Sequence, residues 1–290
     1  MSNVPTNRSI TIDQTGPLAL IQDRGRPGFA HLGVGSSGAA DSRSMALANR
    51  LVGNSYDAAC IEVTFGGLEF TVDHHTNIAV TGASVSVVVG ERQATLNSRL
   101  RVRSGQRVAL GLPAIGMRSY VAIRGGISVP PVLNSRATDT LSGLGPEPLA
   151  PRRIVPVGIP TAPLPDTDFA PTPPLCGGEV TLPVVLGPRA DWFTTGAHTT
   201  LCSNRFQVSS DSNRVGIRLD GPPLPRALLG ELVSEGVVCG SLQAPPGGRL
   251  TMFLADHPVT GGYPVIGVVP ASAIPVVAQL RPGQSVRFSR

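Results

Sequence analysis

The sequence contains no lysine, and all 24 of its basic residues are arginines. Without a lysine ammonium, the chain has no group to form a Schiff base, to complete a phosphate-binding P-loop or to carry biotin covalently. Aromatic residues make up only 4% of the chain. Nucleic acids are usually bound by a basic stripe with stacking rings, and these arginines are scattered, so we expect no nucleic-acid partner.

Cysteine is also scarce, and the four cysteines at 60, 176, 202 and 239 lack the C-x-x-C spacing of a zinc site. They are predicted to be free, mostly buried thiols in a reducing compartment. The first ten residues have no apolar run typical of a signal peptide, and no run reaches membrane-spanning length. We therefore expect a cytoplasmic protein that does not enter a membrane.

Short apolar runs rich in β-branched residues dominate what is present. They are four to eight residues long and end at Gly, Asp or Pro, a pattern that predicts strands. Five Gly-Gly pairs, beginning at 66, 125, 177, 247 and 261, mark turns or close backbone approaches. The fold class predicted is all-β, as a barrel or sandwich. The runs are LALIQD (18–23), LEFTV (68–72), NIAVTG (77–82), SVSVVVG (84–90), SYVAIRG (119–125), RLTMFLAD (249–256) and YPVIGVV (263–269).

One helix is predicted near 41–52, with Asp41 as its N-cap and Gly53 just after its end. A shorter helix is predicted near Ser272. The segment 156–178 carries seven prolines, which neither a helix nor a central strand tolerates. We interpret it as a linker between an N-terminal β subdomain, 1–155, and a C-terminal barrel subdomain, 179–290.

Both subdomains contain a similar phrase, RSGQRV at 103–108 and RPGQSV at 281–286. Each is predicted to be a turn that feeds a strand, which is weak support for two related β units.

The glycines at 33, 35 and 38 match the dinucleotide pattern G-x-G-x-x-G. The helix is predicted to begin only at Asp41, after the pattern, whereas a pyrophosphate loop needs the helix to open inside it. We therefore reject a dinucleotide site. His74 and His75 are adjacent and point apart on an extended chain, so no metal site is predicted there.

Three polar stretches are the candidate site. The first runs from Gln22 to Asp41 and supplies the substrate-binding candidates Asp23, Arg26, His31, Ser37 and Asp41. Asp23 and Arg26 fit a structural ion pair as well as a functional pair.

The second stretch, 210–219, places Arg214 and Arg218 on one face of a predicted strand, where they could clamp an anion or form surface ion pairs. The third, DHPVTGGYP at 256–264, places Asp256, His257 and Thr260 beside a glycine pair. It fits either an acid–base site or a turn with polar edges.

Six motifs follow one another in a familiar order over nearly the whole length: QDRGRPGFAHLGVGSSGAAD, LANRLVGN, RGGISVPPVLNSRATD, SNRVGIRLDGPPL, SEGVVCGSLQAPPGG and DHPVTGGYP. Together they resemble the KipA family, also called allophanate hydrolase subunit 2 or the C subunit of 5-oxoprolinase. The same module is similar to part of the carboxyltransferase domain of urea carboxylase. The chain departs from the family pattern at Gly35-Ser36, where Pro and often Arg are usual, and at Pro258-Val259, where Gln-Thr is frequent.

The resemblance implies cyclophilin-like barrels and a complex with two partners, one KipI-like (the B-type component) and one LamB/YcsF-like (the A-type component). It implies ATP-dependent opening of 5-oxoproline to glutamate, with ATP bound by this chain or by a partner, and no activity of this chain alone. Two alternatives stay open. One is the carboxyltransferase component of a biotin-dependent urea or amide carboxylase, with biotin on another chain. The other is a regulator that binds a kinase-inhibiting partner.

For lactam opening, a site needs groups for a developing oxyanion and a proton donor for the leaving nitrogen. In DHPVTGGYP, we expect Asp256 to orient His257 or to take a proton, and Thr260 to donate a hydrogen bond. Gly261 and Gly262 would let the backbone approach a ligand, beside Tyr263.

Overall fold

The computed structural model describes residues 8–228, 230–246 and 249–290. Residues 1–7 lie outside this part, and so does the Gly-Gly pair at 247. The predictions about a signal peptide and about a turn at this glycine pair therefore concern residues outside the described chain. The chain forms two compact units: residues 8–26, 41–138 and 143–175 make unit 1, and residues 27–40, 139–142 and 176–290 make unit 2. This grouping differs from the predicted contiguous subdomains, because two short segments of the N-terminal half belong to unit 2.

Unit 1 has eleven strands and one helix in its described residues. They are β1 Ser9–Thr15, β2 Leu18–Gln22, α1 Ser42–Leu51, β3 Cys60–Thr64, β4 Leu68–Val72, β5 Thr76–Ser84, β6 Val87–Val89, β7 Arg92–Ala94, β8 Arg99–Val102, β9 Arg107–Leu110, β10 Ile115–Ile123 and β11 Ile154–Pro156.

The strands of unit 1 form two sheets with a shared core. The first has the order β11-β1-β4-β9-β6-β7 and the second β2-β3-β10-β5-β8, with every pair antiparallel. Alternation in β4, where Leu68, Phe70 and Val72 are buried and the residues between them half-buried, points one face of each strand into the core. Helix α1 packs on the other face of the second sheet.

Helix α1 begins as predicted. The Asp41 side chain accepts a hydrogen bond from the backbone N–H of Ser44 at 3.0 Å, and Gly53 follows the helix with φ of 69°. Met45, Ala48 and Leu51 form its buried side. The helix therefore starts after the glycines at 33, 35 and 38, in agreement with the rejection of a dinucleotide loop.

Unit 2 has ten strands and two α-helices in its described residues. They are β12 Val180–Pro183, β13 Val185–Leu186, α2 Thr195–Ser203, β14 Arg205–Val208, β15 Gly216–Asp220, β16 Glu235–Gly236, β17 Ser241–Gln243, β18 Leu250–Phe253, β19 Thr260–Gly261, β20 Val265–Val268, α3 Ile274–Val277 and β21 Ser285–Ser289. The helix predicted near Ser272 is a 3-10 turn, Ala271–Ala273, that leads into α3.

Eight of these strands form a nearly closed barrel in the order β12-β21-β14-β15-β18-β17-β20-β13. The first and last strands of that order, β12 and β13, are separated in the chain only by Val184, so the two edges of the sheet meet at one residue. The core includes an edge-to-face pair of Phe206 and Phe288 with ring centroids 5.7 Å apart. The expected all-β class with cyclophilin-like barrel architecture is confirmed.

The phrase repeated in the two halves forms the same turn in each unit. The Gln106 side chain accepts from the backbone N–H of Arg103 at 2.8 Å, and the Gln284 side chain accepts from that of Arg281 at 3.1 Å. The glycine between them has φ of 79° in unit 1 and 82° in unit 2. Each turn leads into a strand, β9 or β21, as predicted.

The proline-rich segment 156–178 is mostly exposed, and as far as residue 175 it belongs to unit 1. Its carbonyl oxygens at Ala162, Pro165 and Asp168 accept hydrogen bonds from Arg124 and Arg99 of the same unit. These bonds hold an extended chain whose strand pairing after β11 is limited to isolated bridges of Val157 with Ile127 and of Phe169 with Ser98, since proline disfavours a longer ladder. The boundaries of the two predicted subdomains stay a prediction.

All four cysteines are free, as expected, but only Cys60 is buried; Cys176 is exposed and the other two are half-buried. In the part of the chain that the structure describes, no helix is both long and apolar enough to cross a membrane.

Candidate functional site

The centre of the candidate site in unit 2 is the carboxylate of Asp256, which follows β18 and is 1% exposed. Arg214 approaches it side-on: Nε donates to Oδ2 and Nη2 to Oδ1, both at 2.9 Å. Nη2 also donates to the carbonyl oxygen of Gly38 at 2.6 Å. A bidentate arginine–carboxylate pair fixes both distance and orientation, so the pair ties the loops before β15 and after β18 together.

Two more segments of unit 2 donate to the same carboxylate. Ser37 Oγ donates to Oδ1 at 2.7 Å, and Thr140 donates to Oδ2 through its backbone N–H at 2.9 Å and its Oγ1 at 2.7 Å. Asp139 shapes the second segment, because its carboxylate accepts from the backbone N–H groups of Leu141 and Ser142. Asp256 thus accepts five hydrogen bonds, which use all the lone-pair directions of a carboxylate.

The ionisation of Asp256 follows from these contacts. Burial alone would raise its pKa, but the positive charge of Arg214 and the hydrogen bonds from Arg214, Ser37 and Thr140 outweigh burial. The pKa of Asp256 therefore lies below its ordinary value. A carboxylate with a lowered pKa and five accepted hydrogen bonds is an anchor and a poorer proton acceptor than an ordinary one, which favours an orienting role over taking a proton.

His257 lies next to this anchor but does not form an acid–base pair with Asp256. Its Nδ1 donates to the carbonyl oxygen of Pro258 at 2.7 Å, which places the lone pair of the neutral ring on Nε2. The half-buried ring lies against Phe253, with centroids 6.0 Å apart. The structure therefore fixes a tautomer able to accept a proton at Nε2.

Gly35 passes close to the backbone of His257. A Cβ at Gly35 would lie 3.2 Å from the carbonyl oxygen of His257, tighter than an ordinary van der Waals contact. Gly35, where the family pattern usually has proline, therefore packs closely against the turn that carries His257.

Thr260 and Gly261 of DHPVTGGYP form a short strand, β19, paired with β16. Thr260 is exposed on it, and Tyr263 is 47% exposed. A Cβ on Gly261 would lie 2.6 Å from Gln243 Nε2, which donates to the carbonyl oxygen of Tyr263 at 3.1 Å. The close approach predicted for the glycine pair is therefore made to a side chain of β17, whereas Gly262 has looser surroundings.

Arg218 is placed differently from Arg214. It lies within β15, where Nη1 donates to the carbonyl oxygen of Asp211 at 2.8 Å, and Arg214 precedes the strand and is buried. The expectation that both arginines share one strand face as an anion clamp is wrong, because the strand begins only at Gly216.

In unit 1, Asp23 and Arg26 do not pair with each other. Asp23 accepts from the backbone N–H of Gly25 and from Ser135 and Arg136, so it closes a turn. Arg26 is 1% exposed, and Nη2 donates to the carbonyl oxygen of Ala137. Among the described residues, Nε and Nη1 of Arg26 are buried without a hydrogen-bond partner.

The remaining candidates are structural or exposed. Asp41 caps α1, and its backbone N–H donates to the hydroxyl of Tyr120 at 2.7 Å. That hydroxyl donates to Glu62, and burial followed by the Glu62 charge raises the pKa of Tyr120 well above its ordinary value. His31 lies exposed in a 3-10 turn, Ala30–Leu32.

Sequence reasoning did not assign a role to Thr140, Asp139 or Ser135. All three lie in or just after the motif RGGISVPPVLNSRATD, which was used only for the resemblance. The signal was a dense run of hydroxyl and carboxylate side chains in a stretch without strand periodicity, which is typical of a polar loop that makes side-chain hydrogen bonds.

The described geometry defines a class of protein: a mostly β chain with a sandwich-like unit and a nearly closed barrel whose loops meet at a buried arginine–aspartate pair. The chain belongs to the family of the carboxyltransferase domain, subdomain A and B, whose family model matches residues 32–290. The resemblance inferred from the six motifs is thereby confirmed.

Two curated relatives show the range of this family. The chain is 34% identical to the C subunit of 5-oxoprolinase from Escherichia coli (strain K12), over 96% of this chain and 90% of that protein. It is 29% identical to urea amidolyase of Lachancea kluyveri, over 96% of this chain but only 16% of that protein.

Solved structures agree with this placement. A crystal structure of TTHA0988 is 30% identical with a TM-score of 0.90, and the match covers 100% of this chain and 57% of that chain. Urea amidolyase of K. lactis is 29% identical with a TM-score of 0.90, covering 97% of this chain and 18% of that chain. This chain thus corresponds to little more than half of the former and to less than a fifth of the latter.

Proposed function

We propose that this chain is the C subunit of an ATP-dependent 5-oxoprolinase, active only with a KipI-like partner and a LamB/YcsF-like partner. The support from relatives is the 34% identity to the C subunit of a 5-oxoprolinase, which extends over 90% of that protein. The reaction opens the lactam of 5-oxoproline to glutamate. ATP transfers its γ-phosphoryl group to the oxygen of the poorly electrophilic lactam carbonyl, and ADP leaves. Water attacks the activated carbon, the C–N bond breaks as the nitrogen takes up a proton, and a second water cleaves the resulting acyl phosphate to glutamate and phosphate.

The observation that carries the proposal is Arg26. A buried guanidinium with two unpartnered nitrogen atoms is unfavourable in a folded chain unless water or a ligand accepts its hydrogen bonds, because each buried unpaired donor costs about 1–3 kcal/mol. The substrate carries a carboxylate, which an arginine binds through charge-assisted hydrogen bonds. We assign carboxylate recognition to Arg26.

His257 is the candidate for proton transfer. The hydrogen bond from Nδ1 to Pro258 leaves Nε2 able to accept a proton, as general acid–base catalysis requires. The anchor formed by Asp256 and Arg214 supports the turn on which this imidazole lies. Its role is positioning, since its carboxylate has no capacity left for substrate.

A carboxyltransferase is the second candidate function. The family description and the 29% identity to a urea amidolyase favour it. Since the chain has no lysine, biotin would have to arrive on another chain. Under this alternative, the substrate is urea or another amide, which lacks a carboxylate, so Arg26 would have no substrate anion to bind.

The test is reconstitution. This chain, co-expressed with its two partners, should form glutamate from 5-oxoproline and ATP, and omission of any one of the three proteins should abolish the reaction. Full activity of the two partners without this chain would contradict the proposal. Carboxylation of urea by this chain with a biotin carboxylase and a biotinylated carrier, with no glutamate formed in the first assay, would establish the second candidate instead.

A further inference from the structure

Unit 1 contains a groove of about 1010 Å³ that the proposed reaction does not use. It is lined by three stretches of chain and by Gln106: 75–77 at the start of β5, 89–94 across the β6–β7 hairpin, and 99–103 along β8 and just after it. Strand β7 is the edge of the first sheet and β8 the edge of the second. The groove therefore opens where both sheets of the unit end.

The edge of β8 has backbone groups that its sheet does not use. The N–H of Arg99 donates to the carbonyl oxygen of Asp168 at 2.7 Å, so the polar backbone atoms of this residue face away from β5. Backbone direction repeats every second residue, and the β5–β8 register has no bulge. Residues 168–170 pair with this edge only at 97–99, through an antiparallel bridge of Ser98 and Phe169. The N–H and C=O of Arg101 point away from β5 as well, beyond that bridge.

The charge of the groove is strongly one-sided. Arg92, Arg99, Arg101 and Arg103 line it, and Glu91 is the only acidic residue among its lining residues. Arg99 donates to the carbonyl oxygen of Pro165, and none of the four guanidiniums has an ion-pair partner within the described residues. A concave surface with this imbalance attracts anionic groups.

The arginines of β8 alternate with core residues. Leu100 and Val102 face the hydrophobic core, so the side chains at 99, 101 and 103 project on the other side at intervals of about 6.6 Å. Carboxylates at every second position of an extended peptide repeat at the same interval.

The groove also contains an acceptor that needs an N–H donor. Asn77 pairs with Arg101 across β5 and β8, so it lies on the same face as the arginines, and its Oδ1 atom is buried without a partner among the described residues. A phosphate or polyphosphate has no N–H to donate, and no Phe, Tyr or Trp lines the groove to stack a nucleobase. A peptide supplies carboxylates and N–H groups together.

From these observations we propose that the groove between β7 and β8 binds an extended acidic segment of a partner protein, with carboxylates at alternate positions. The segment adds to the β8 edge through the backbone of Arg101, and its carboxylates bind the arginines at 99, 101 and 103. This is strand addition with charge-based register. The inference concerns a surface separate from the proposed chemistry and does not depend on the reaction.

The test measures binding of a fluorescent ten-residue peptide of alternating Glu and Thr to the intact chain. The expected result is saturable binding that weakens with salt. A peptide of the same composition with all glutamates grouped at one end should bind at least tenfold more weakly. The double substitution Arg101→Glu/Arg103→Glu should weaken binding by tenfold or more, whereas Arg43→Glu/Arg50→Glu, the same charge change on exposed positions of α1, should have little effect.

The backbone contribution is tested separately with Arg101→Pro against Arg101→Ala. Proline is tolerated where the N–H faces away from the sheet, so both variants should fold, which thermal melts check. Weaker binding by Arg101→Pro than by Arg101→Ala supports strand addition. Equal binding of the two peptides, or inorganic triphosphate displacing the peptide at equal concentration, would show an unspecific anion patch and overturn the proposal. Absence of any peptide binding at millimolar concentration would overturn it as well.

Discussion

Arg214 and Asp256 share two hydrogen bonds of 2.9 Å each, and their side chains are 2% and 0% exposed. The two residues are 42 positions apart in the chain. A salt bridge buried to this extent stabilises the fold little more than two well-packed apolar residues would. Removing one partner, however, leaves the other charge buried without a counter-charge. The first two predictions follow from this asymmetry.

Replacing Arg214 alone should strongly destabilise the folded chain. We expect Arg214→Met to lower the free energy of unfolding by about 3–5 kcal/mol, because the Asp256 carboxylate stays buried without its counter-charge. Denaturant unfolding measures the change. The double variant Arg214→Met/Asp256→Asn should lose clearly less than the sum of the single variants. Arg218→Met, which breaks only a bond to the carbonyl oxygen of Asp211, is the control, and an equal loss there would refute the special role of the pair.

Stability should depend on pH through Asp256. Its pKa in the folded chain is lowered, so its contribution is fully present above the pKa of the unfolded chain, about 3.9. The contribution is lost as the pH falls from there through the lower folded pKa. We expect Asp256→Asn to flatten the fall in the free energy of unfolding below about pH 4, where the wild-type chain loses this contribution. Asp73, whose pKa is also lowered by bonds from Ser9, leaves a residual slope. An unchanged acid limb would contradict the assignment.

Proton transfer at His257 is tested by turnover. In the reconstituted complex, His257→Asn should reduce the rate of glutamate formation by about 10²- to 10⁴-fold while the chain keeps its melting temperature and its partners. His198→Asn is the matched control, since this histidine lies on α2 and contacts the carbonyl oxygen of Ala190. Near wild-type turnover of His257→Asn would leave DHPVTGGYP as a turn without catalytic function.

Substrate recognition by Arg26 is tested by comparing effects on activity and stability. Arg26→Met removes two unpartnered buried nitrogens but also the hydrogen bond to Ala137, so the two effects oppose each other and the melting temperature should change little. The loss of a hydrogen bond to the substrate carboxylate should lower kcat/KM by about 10- to 150-fold. Arg24→Met, two residues away on an exposed side chain bonded to Tyr56, should change neither. Activity that only follows a lower melting temperature would make Arg26 a structural residue.

Local patterns predicted the elements well where a single local rule operates. The strand at 68–72 matches β4 to the residue, and α1 follows its cap at Asp41. Helix α2, Thr195–Ser203, was not predicted, because three threonines and a glycine are weak helix formers and only two of its residues are buried. Its cap at Thr194, which accepts from the backbone N–H of Ala197 at 3.1 Å, was the available signal.

The candidate site was predictable as a set of polar stretches but not as a set of contacts. Asp256 was placed with its neighbour His257 because adjacency is all that a sequence shows. Its true donors, Ser37 and Thr140, lie 219 and 116 positions away. No periodicity links residues at such distances, because the contacts depend on which loops the barrel brings together.

Unit 2 is built from three separate segments of the chain, and this affects its synthesis. Two of its segments, 27–40 and 139–142, leave the ribosome long before Asp256, the acceptor for Ser37 and Thr140. At roughly 5–20 residues per second, Ser37 waits on the order of ten seconds or more for its partner. A gene fragment cut at the proline-rich segment would encode a barrel without either of these donors. The barrel is therefore not a transferable module, and fusions or truncations of this chain have to keep 27–40 and 139–142 together with 176–290.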